Sequence, residues 1–399
     1  MDPPAPTGRP ALTVGTVLRA ARDLVRPNLP AWQLKILGAL CACRTPALGG
    51  HRYQCSSCGG EHFVPHSCRN RHCPDCQGAA ALDWLARQEA AFLPIPYFHL
   101  VFTLPHDLNP LIQQNLRIVL NLFFASVSAT LLEFGRNRWG VELGLTVIVH
   151  TWGQTLIDHY HLHVLATGGG LNRPRTCWIS APEHYLFPIH ALAVVFRAKF
   201  CEGLQALYAA GKLQFHGQLE PLKEVKAFQA LIRQATRQSW NVYAKRPFAG
   251  PAQVLRYLSR YTHRVALGSR RLQRLDLEQH TVTFTYKDYT DHDRIKPMTL
   301  SFQEFLRRFC LHLLPERFVK IRHYGLLGNA HRLQRIASAR RLLGVASATE
   351  PQDAPPADAP SSATPESSPL RCPHCGKPTL ILMEIIEPPS RRPSILDSS

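Results

Sequence analysis

The stretch DHYHLHVLAT, residues 158–167, alternates polar and apolar residues as a half-buried β-strand does. In a strand, residues two apart point to the same face, so the imidazoles of His161 and His163 lie about 6–7 Å apart along one side. Two imidazoles at that spacing can hold one metal ion. Residues 144–152 read as a strand just before this one, and the pair predicts a hairpin that carries the histidines.

A metal ion at this strand needs a third ligand. Gln154, near the end of the preceding strand, and His159, one step back on the same face, are the two candidates. Neutral imidazole binds Mn²⁺ and Zn²⁺, and it helps to hold Mg²⁺ when a phosphate completes the coordination shell. Such an ion polarises a phosphodiester. The alternative is that both histidines are ordinary core residues that make hydrogen bonds.

A second motif, VLRYLSRYTHRV, occupies residues 254–265. Read as a helix, it places Tyr257 and Tyr261 on one face and aligns Arg256 with Arg260. Tyrosines at this spacing are most often packing residues, but the arginines supply the cations that a phosphoryl-transfer site needs. A phenol that attacks phosphate forms a covalent ester, which conserves the bond energy for religation.

The bulk composition favours a polyanionic partner. The chain has 399 residues, a net charge of +18 and a pI near 9.7, enough for two or three domains. Residues 118–132 are too few and too polar to span a bilayer, and the N-terminus does not resemble a signal peptide. We therefore expect no membrane partner and a cytoplasmic, nucleoid-associated protein.

Two basic runs are candidate nucleic-acid surfaces. Residues 256–274 contain six arginines, and residues 317–349 contain seven Lys and Arg without an acid. A solvated helix face is the usual meaning of such a run, but one-sided charge interleaved with aromatic residues suits a single strand of DNA better. The side chains predicted to contact DNA are Arg256, Arg264, Lys320 and Arg322.

The cysteines are concentrated in one segment. Of the 12 in the chain, seven fall between Cys41 and Cys76, as metal ligands do in a reducing compartment. The spacing Cys-x2-Cys-x14-Cys-x2-Cys predicts one zinc site, formed by Cys55, Cys58, Cys73 and Cys76. A second site could use Cys43, Cys68 and His72. The pair Cys372 and Cys375 is half a knuckle, and its role stays open.

The coarse pattern predicts an α+β protein with five segments. They are a helical arm at 1–40, a zinc-binding domain at 41–92, a nuclease domain at 93–345, a disordered linker at 346–370 and a short Cys-x-x-Cys tail at 371–399. Within the nuclease domain, residues 97–104 and 281–286 read as strands. Residues 108–134 read as one long helix, and Gly168-Gly169-Gly170 is expected to end the histidine strand.

Several motifs, in order along residues 34–329, resemble one family. They are CRTPALGGH at 43–51, SCRNRHCPDCQ at 67–77, YFHLVFTLP at 97–105, His161-Leu162-His163 with its glycines, and YLSRYTHR at 257–264. The chain resembles the rolling-circle transposases of the HUH type, with two tyrosines and an N-terminal zinc-binding domain.

The resemblance implies a central antiparallel sheet with helices on one face. It implies that His161 and His163 bind catalytic Mg²⁺ or Mn²⁺, that Tyr257 and Tyr261 are nucleophiles beside Arg260, and that the cysteines hold structural Zn²⁺. It further implies a protein that nicks and rejoins single-stranded or hairpin DNA ends through a 5′-phosphotyrosine. No Gly-x-x-x-x-Gly-Lys-[Ser/Thr] motif is present, so unwinding would depend on host replication or helicase proteins.

Two other functions fit parts of the pattern. His159-x-His161-x-His163 is similar to the triad of nucleotide hydrolases in which a histidine is the nucleophile, and that reading needs no tyrosine. A zinc-dependent DNA-binding regulator would bind DNA without cutting it, and its paired tyrosines would be buried. The basic balance and the zinc module argue against the hydrolase.

Overall fold

A computed structural model describes residues 12–22, 29–182, 186–248, 253, 266–345 and 371–388. The α-helices are α1 (Val14–Arg22), α2 (Ala31–Ala42), α3 (Gly78–Ala91), α4 (Asn109–Gln114), α5 (Leu116–Trp139), α6 (Ile189–Ala209), α7 (Val225–Ala235), α8 (Phe302–Cys310) and α9 (Arg332–Leu342). The first six strands are β1 (Gly50–Cys55), β2 (Glu61–Pro65), β3 (Tyr97–Thr103), β4 (Val141–Trp152), β5 (Asp158–Asn172) and β6 (Trp178–Ser180). The others are β7 (Val242–Phe248), β8 (Leu272–Asp276), β9 (Thr281–Asp288), β10 (Arg294–Ser301), β11 (Ile321–Gly325) and β12 (Leu380–Ile386).

The largest sheet is antiparallel, in the order β11-β4-β5-β3-β7, with β6 paired to β5. Alternation along β5 sends Tyr160, Leu162 and Val164 to one face, where they join the main apolar core with residues of α5 and α6. These two long helices pack together and cover that face. The α+β fold with an antiparallel sheet and helices is therefore confirmed, as is the predicted hairpin of β4 and β5.

The opposite face of the sheet is divided between packing and polar residues. At one end, Leu165 and Ile148 join an apolar cluster with Trp84 of α3 and Ile336 of α9. Further along the same face the strands present a group of imidazoles, which belong to His99, His150, His161 and His163. The imidazoles therefore lie on the face that the two long helices leave uncovered.

The glycine run does not end the histidine strand, contrary to the sequence expectation. β5 continues through Gly168-Gly169-Gly170 to Asn172. A Cβ on Gly170 would lie 2.3 Å from the carbonyl oxygen of Glu142, and Gly169 has φ +136°. The glycines serve close backbone approach of the neighbouring strands rather than termination.

The predicted helix over residues 108–134 is divided in the structure into α4 and α5. Asn115 lies between them at φ −118° and ψ 32°, outside helical geometry. Its amide donates to the carbonyl oxygen of Gln214 at 2.9 Å, and its side-chain oxygen accepts from the Gln214 backbone N–H. This tie to a distant segment replaces helix continuity, and no local sequence signal announces it.

Among the described residues, α5 is the one helix long and apolar enough to pass a length-and-hydropathy test for a membrane span. Its buried residues, which include Phe123, Phe124 and Val127, pack in the core against the sheet and α6. Burial in a globular core accounts for its apolar character.

A second apolar core joins segments that are distant in the sequence. It combines Val17 and Leu40 of the N-terminal helices with Phe284 of β9 and Phe305 of α8. These helices thus pack against the smaller sheet, β10-β9-β8, instead of extending from the body as an arm.

A third sheet joins the C-terminal segment to the N-terminal cysteine-rich module. Its order is β12-β1-β2, so the strand at 380–386 pairs with the strand at 50–55, antiparallel and with one register shift. The expectation of a separate tail is therefore wrong for residues 371–388, which complete the sheet of the N-terminal module. Without β12, one edge of β1 would have unpaired backbone groups, and such an edge can pair with any extended segment. Here the segment that pairs with it comes from the same chain.

Candidate active site and cysteine sites

Three imidazoles converge on the uncovered face of the large sheet. The nitrogens of His150, His161 and His163 that are suited to bind a metal all lie within 4.8 Å of one another. The register explains this convergence, because His150 of β4 is directly opposite His161 of β5, and His163 is two residues further along. The ring centroids of His150 and His163 are 4.4 Å apart. The predicted pair thus lies in a set of three.

Hydrogen bonds fix the orientation of two of these rings. His161 Nδ1 donates to the carbonyl oxygen of His159 at 2.9 Å, which leaves Nε2 with a lone pair. His163 Nδ1 lies 2.9 Å from Nε2 of His99, a fully buried residue of β3. With the proton on His163 Nδ1, the lone pair of this ring is on Nε2. This is the arrangement in which second-shell partners hold metal-binding histidines.

Burial keeps these imidazoles neutral. It lowers the pKa of His161 to about 3, with a smaller contribution from the nearby His159. Burial also lowers the pKa of His163 well below its usual value, and that of His99 to about 4. A neutral ring is the form that binds a metal.

Of the two predicted third ligands, His159 lies outside this set, and Gln154 makes its contacts elsewhere. Gln154 donates to the hydroxyl of Tyr289 at 3.2 Å and accepts from the backbone N–H of Lys287, so the smaller sheet holds it. His159 forms a hydrogen bond with His106 at 3.0 Å instead. The residue that sequence reasoning missed is His150. The hairpin register could have revealed it, because a regular antiparallel hairpin that pairs residue 148 with 163 also pairs residue 150 with 161.

The paired tyrosines lie outside the described residues. Tyr257 and Tyr261 fall in the segment 254–265, together with Arg256, Arg260 and Arg264. Their predicted roles stay predictions. On the N-terminal side of the segment, Lys245 of β7 pairs with His99, so both lie on the histidine face. On its C-terminal side, Leu267 packs in the second core with Leu156 of the hairpin loop.

The two basic residues of the second run that were predicted to contact DNA have different surroundings. The ammonium of Lys320 lies 5.1 Å from the ring centre of Trp152, which itself stacks on His150. Burial, helped by Arg71, lowers the pKa of Lys320 to about 7. The guanidinium of Arg322 instead lies 4.1 Å from the ring centre of Phe124 and donates to Asn121, both on α5. Lys320 therefore borders the imidazoles, and Arg322 supports the helix face.

Eight of the cysteines form two sets of four, which corrects the predicted grouping of the ligands. The first set is Cys43, Cys68, Cys73 and Cys76, and the second is Cys55, Cys58, Cys372 and Cys375; within each, all sulfurs lie within 4.8 Å. The predicted combination of Cys55 and Cys58 with Cys73 and Cys76 is wrong because β1 and β2 carry the former pair away toward β12. The Cys-x-x-Cys spacing thus identified the cysteine pairs but not which other cysteines share a site with each pair.

The first set has the electrostatics of a cation site. Cys73 donates to Cys43 at 3.5 Å, and Cys68 lies 3.7 Å from Cys76. The hydrogen bond with Cys68 lowers the pKa of Cys43, whereas the one with Cys43 raises the pKa of Cys73. Four sulfurs this close cannot all be thiolates unless a cation shares their charge. Four thiolates suit tetrahedral Zn²⁺.

His72 is not a ligand, because both of its nitrogens are engaged. Its Nε2 accepts from the backbone N–H of Leu314 at 3.0 Å, and its Nδ1 donates to the side-chain oxygen of Asn70. The neighbouring Arg71 donates to the carbonyl oxygens of Phe318, Leu314 and Pro315. These two residues attach the first cysteine set to the segment that leads into β11.

Comparisons with known proteins agree with both parts of this architecture. Residues 17–104 match a family described as transposase zinc-binding domain, of the IS91 type, and residues 144–334 match one described as putative transposase. The histidine hairpin lies inside the second match and the first cysteine set inside the first. No solved structure matches the chain.

Two curated relatives cover most of the chain. The putative transposase y4qJ of Sinorhizobium fredii is 40% identical over 376 residues, which are 93% of this chain and 94% of the relative. The transposase for insertion sequence element IS801 of Pseudomonas savastanoi pv. phaseolicola is 28% identical over 336 residues, 82% of this chain and 78% of the relative. With this identity and coverage, the chain belongs to the IS91/IS801 family of insertion-sequence transposases, whose members cut and join DNA and carry a zinc-binding domain.

Proposed function

We propose that this transposase nicks and rejoins single-stranded DNA at the ends of its insertion sequence through a 5′-phosphotyrosine intermediate. The observation that carries the proposal is the set of His150, His161 and His163 on the uncovered face of the sheet. Three neutral nitrogens at one point, on a chain with net charge +18, suit a site for a phosphodiester.

The donor set fits a catalytic divalent cation better than a structural one. Three imidazoles leave coordination positions open, whereas a structural site closes around four protein ligands. Mg²⁺ or Mn²⁺ held by His150, His161 and His163 would polarise the scissile phosphate. His99 would act as a positioning residue, because it fixes the ring of His163.

In the proposed reaction the nucleophile is the phenol of Tyr257 or Tyr261, with the guanidinium of Arg260 on the non-bridging oxygens. The phenol oxygen forms a bond to phosphorus and loses its proton. The bond from phosphorus to the 3′-oxygen breaks, and that oxygen takes up a proton. The second tyrosine repeats the step on the other strand end. Support comes from the N-terminal flank of the segment, since Lys245 lies on the face of the sheet that carries the histidines.

Features around the imidazoles favour a single strand over a duplex. Trp152 is half-buried and stacks on His150, so it extends the aromatic surface beside the imidazoles. Lys320 lies next to this ring, and a phosphate bound there would favour its charged form. We expect host replication or helicase proteins to expose the strand, and the protein to act at the nucleoid.

The experiment is adduct formation on an oligonucleotide from the element's end, with Mg²⁺ or Mn²⁺. We expect a covalent protein–DNA species in the wild type, a free 3′-hydroxyl, and a peptide mass that assigns the ester to Tyr257 or Tyr261. The Tyr257→Phe/Tyr261→Phe variant should bind the strand but give no adduct. Tyr208→Phe, on α6 at the opposite side of the sheet, is the matched control and should leave the adduct unchanged.

An adduct that persists in the double tyrosine variant would exclude the assigned nucleophiles. Cleavage without an adduct, which depends on the histidines alone, would favour hydrolysis by an activated water. The histidine-triad alternative is weakened independently, because His159 pairs with His106 and lies outside the set of three.

A further inference from the structure

Two turns at opposite ends of the chain have the same local structure. One is Cys55-Ser-Ser-Cys58-Gly59 and the other is Cys372-Pro-His-Cys375-Gly376. In each, the N–H of the final glycine donates to the carbonyl oxygen of the first cysteine at 2.8 Å. The N–H of each first cysteine donates to the residue that follows the glycine, and the two glycines have φ of +69° and +72°. Both turns therefore present two sulfurs to the same side.

The sulfur distances between the turns fit a shared tetrahedral ion. Cys55 Sγ lies 3.6 Å from Cys375 Sγ, and Cys58 Sγ lies 3.7 Å from Cys372 Sγ. A zinc ion with four bonds of about 2.3 Å to sulfur separates its ligands by about 3.8 Å. A disulfide would require about 2.05 Å. The four sulfurs are thus arranged around a point, and they are not arranged in bonded pairs.

Contacts besides those between the sulfurs also join the two turns. The N–H of Ser56 donates to the carbonyl oxygen of Thr379 at 3.0 Å, and the Thr379 hydroxyl lies 3.1 Å from Cys55 Sγ. The ammonium of Lys377 donates to the Ser57 hydroxyl at 3.1 Å. These contacts give the pair of turns one defined orientation.

The side chains of β12 contribute little buried surface that would hold residues 371–388 against the N-terminal module. Ile381, Met383 and Ile385 of β12 are 54–57% exposed. Its ion pair, from Arg52 to Glu384, is on the surface, where such pairs contribute little. In contrast, Cys55 and Cys372 are 1% exposed. The ordered centre of this contact is the sulfur cluster.

We propose that Cys55, Cys58, Cys372 and Cys375 bind a second structural Zn²⁺, which fastens residues 371–388 to the N-terminal module. The site is separate from the first cysteine set and from the histidines. It also extends beyond the family match at 17–104, which contains only two of its four ligands. The zinc-binding module is therefore completed by a segment more than 300 residues away.

The first test is zinc content per chain of the full-length protein, purified under reducing conditions and measured by elemental analysis. The Cys372→Ser/Cys375→Ser variant should contain one zinc equivalent fewer than the wild type. Cys177→Ser, an exposed cysteine outside both sets, should contain the same amount as the wild type. The result is the zinc content of the wild type minus that of the variant, so zinc bound elsewhere in both proteins cancels. Equal zinc content in the double variant and the wild type would overturn the proposal.

The second test needs no variant and remains valid if the double variant does not fold. The wild-type protein is alkylated with iodoacetamide, and each cysteine is read by peptide mass spectrometry with and without a chelator. We expect Cys58 and Cys375, though exposed, to react slowly until the chelator is added, while exposed Cys177 reacts at once. Fast alkylation of Cys375 in the zinc-loaded protein would overturn the proposal.

Discussion

The cysteine sets and the histidine set offer metal ligands in opposite ways. Each cysteine set brings four sulfurs together, which saturates a tetrahedral ion and leaves no position for a substrate. The histidine set brings three nitrogens together on a strand face that the long helices do not cover. Closed sites stabilise a fold and open sites do chemistry, so changes in the two regions should separate stability from activity.

The largest effect is expected from Cys73→Ser. Cys73 is 2% exposed and lies in the second apolar core, so the change removes a zinc ligand and places a hydroxyl among apolar groups. Structural zinc is worth about 10–16 kcal/mol of folding free energy in small domains. We expect the N-terminal module to lose its cooperative unfolding transition, as measured by thermal denaturation and by hydrogen exchange over residues 41–77. An unchanged transition would mean that the first set is not a structural site.

A nearly complete loss of strand cleavage without unfolding is expected from His150→Ala. A metal ion contributes several kcal/mol to the transition state, so the cleavage rate should fall by about 10³-fold. Gln154→Ala is the matched comparison, because Gln154 follows the strand that carries His150 but contacts Tyr289 and Lys287. It should stay within about twofold of the wild-type rate. The reverse ranking of the two variants, measured on the same oligonucleotide, would restore Gln154 as the third ligand.

An intermediate effect is expected from His99→Leu. The change removes the hydrogen-bond partner of His163 Nδ1 but keeps an apolar volume in the buried site. Loss of a second-shell partner costs about 10–100-fold in metal affinity or activity. The Mn²⁺ concentration for half-maximal cleavage should rise by that factor, and excess Mn²⁺ should restore the rate. A lower rate that excess metal does not restore would instead indicate a distorted sheet.

The smallest effect concerns pH and stability. His312 is 1% exposed, its Nε2 donates to the Leu156 carbonyl oxygen, and burial lowers its pKa to about 4. In the unfolded chain the pKa of this imidazole is near 6.5, so the unfolded state takes up the proton first as the pH falls. The contribution of His312 to the free energy of unfolding is therefore complete above pH 6.5 and is lost as the pH falls toward 4. Its upper limit is about 3 kcal/mol. Urea unfolding between pH 7 and 5 should show a shallower pH dependence in His312→Phe than in the wild type. Equal slopes would contradict the shifted pKa.

Local patterns in the sequence were sufficient for much of the fold. Strand-like patterns located β4 and β5, and the two-residue spacing placed His161 and His163 on one face, because side chains two apart in a strand share a face. The same patterns failed where distant segments decide the outcome. Asn115 ends a helix because of Gln214, and the glycines after Thr167 serve neighbouring strands.

The candidate sites follow the same division. His161 and His163 are two apart and were found, whereas His150 required the hairpin register and His99 required the pairing of β3 with β5. The cysteine motifs were recognised one by one, but their partition between two sets depends on β12, which no short-range spacing encodes. The paired tyrosines were identified from sequence alone and await the adduct experiment.

The pairing of β1 with β12 also has a consequence for synthesis on the ribosome. About 320 residues separate Cys55 from Cys375. At a translation rate of about 5–20 residues per second, the growing polypeptide carries β1 without its later neighbour for roughly 16–64 seconds. During that interval the outer edge of β1 is open to other nascent chains, which makes premature release or a ribosomal stall a hazard for this transposase.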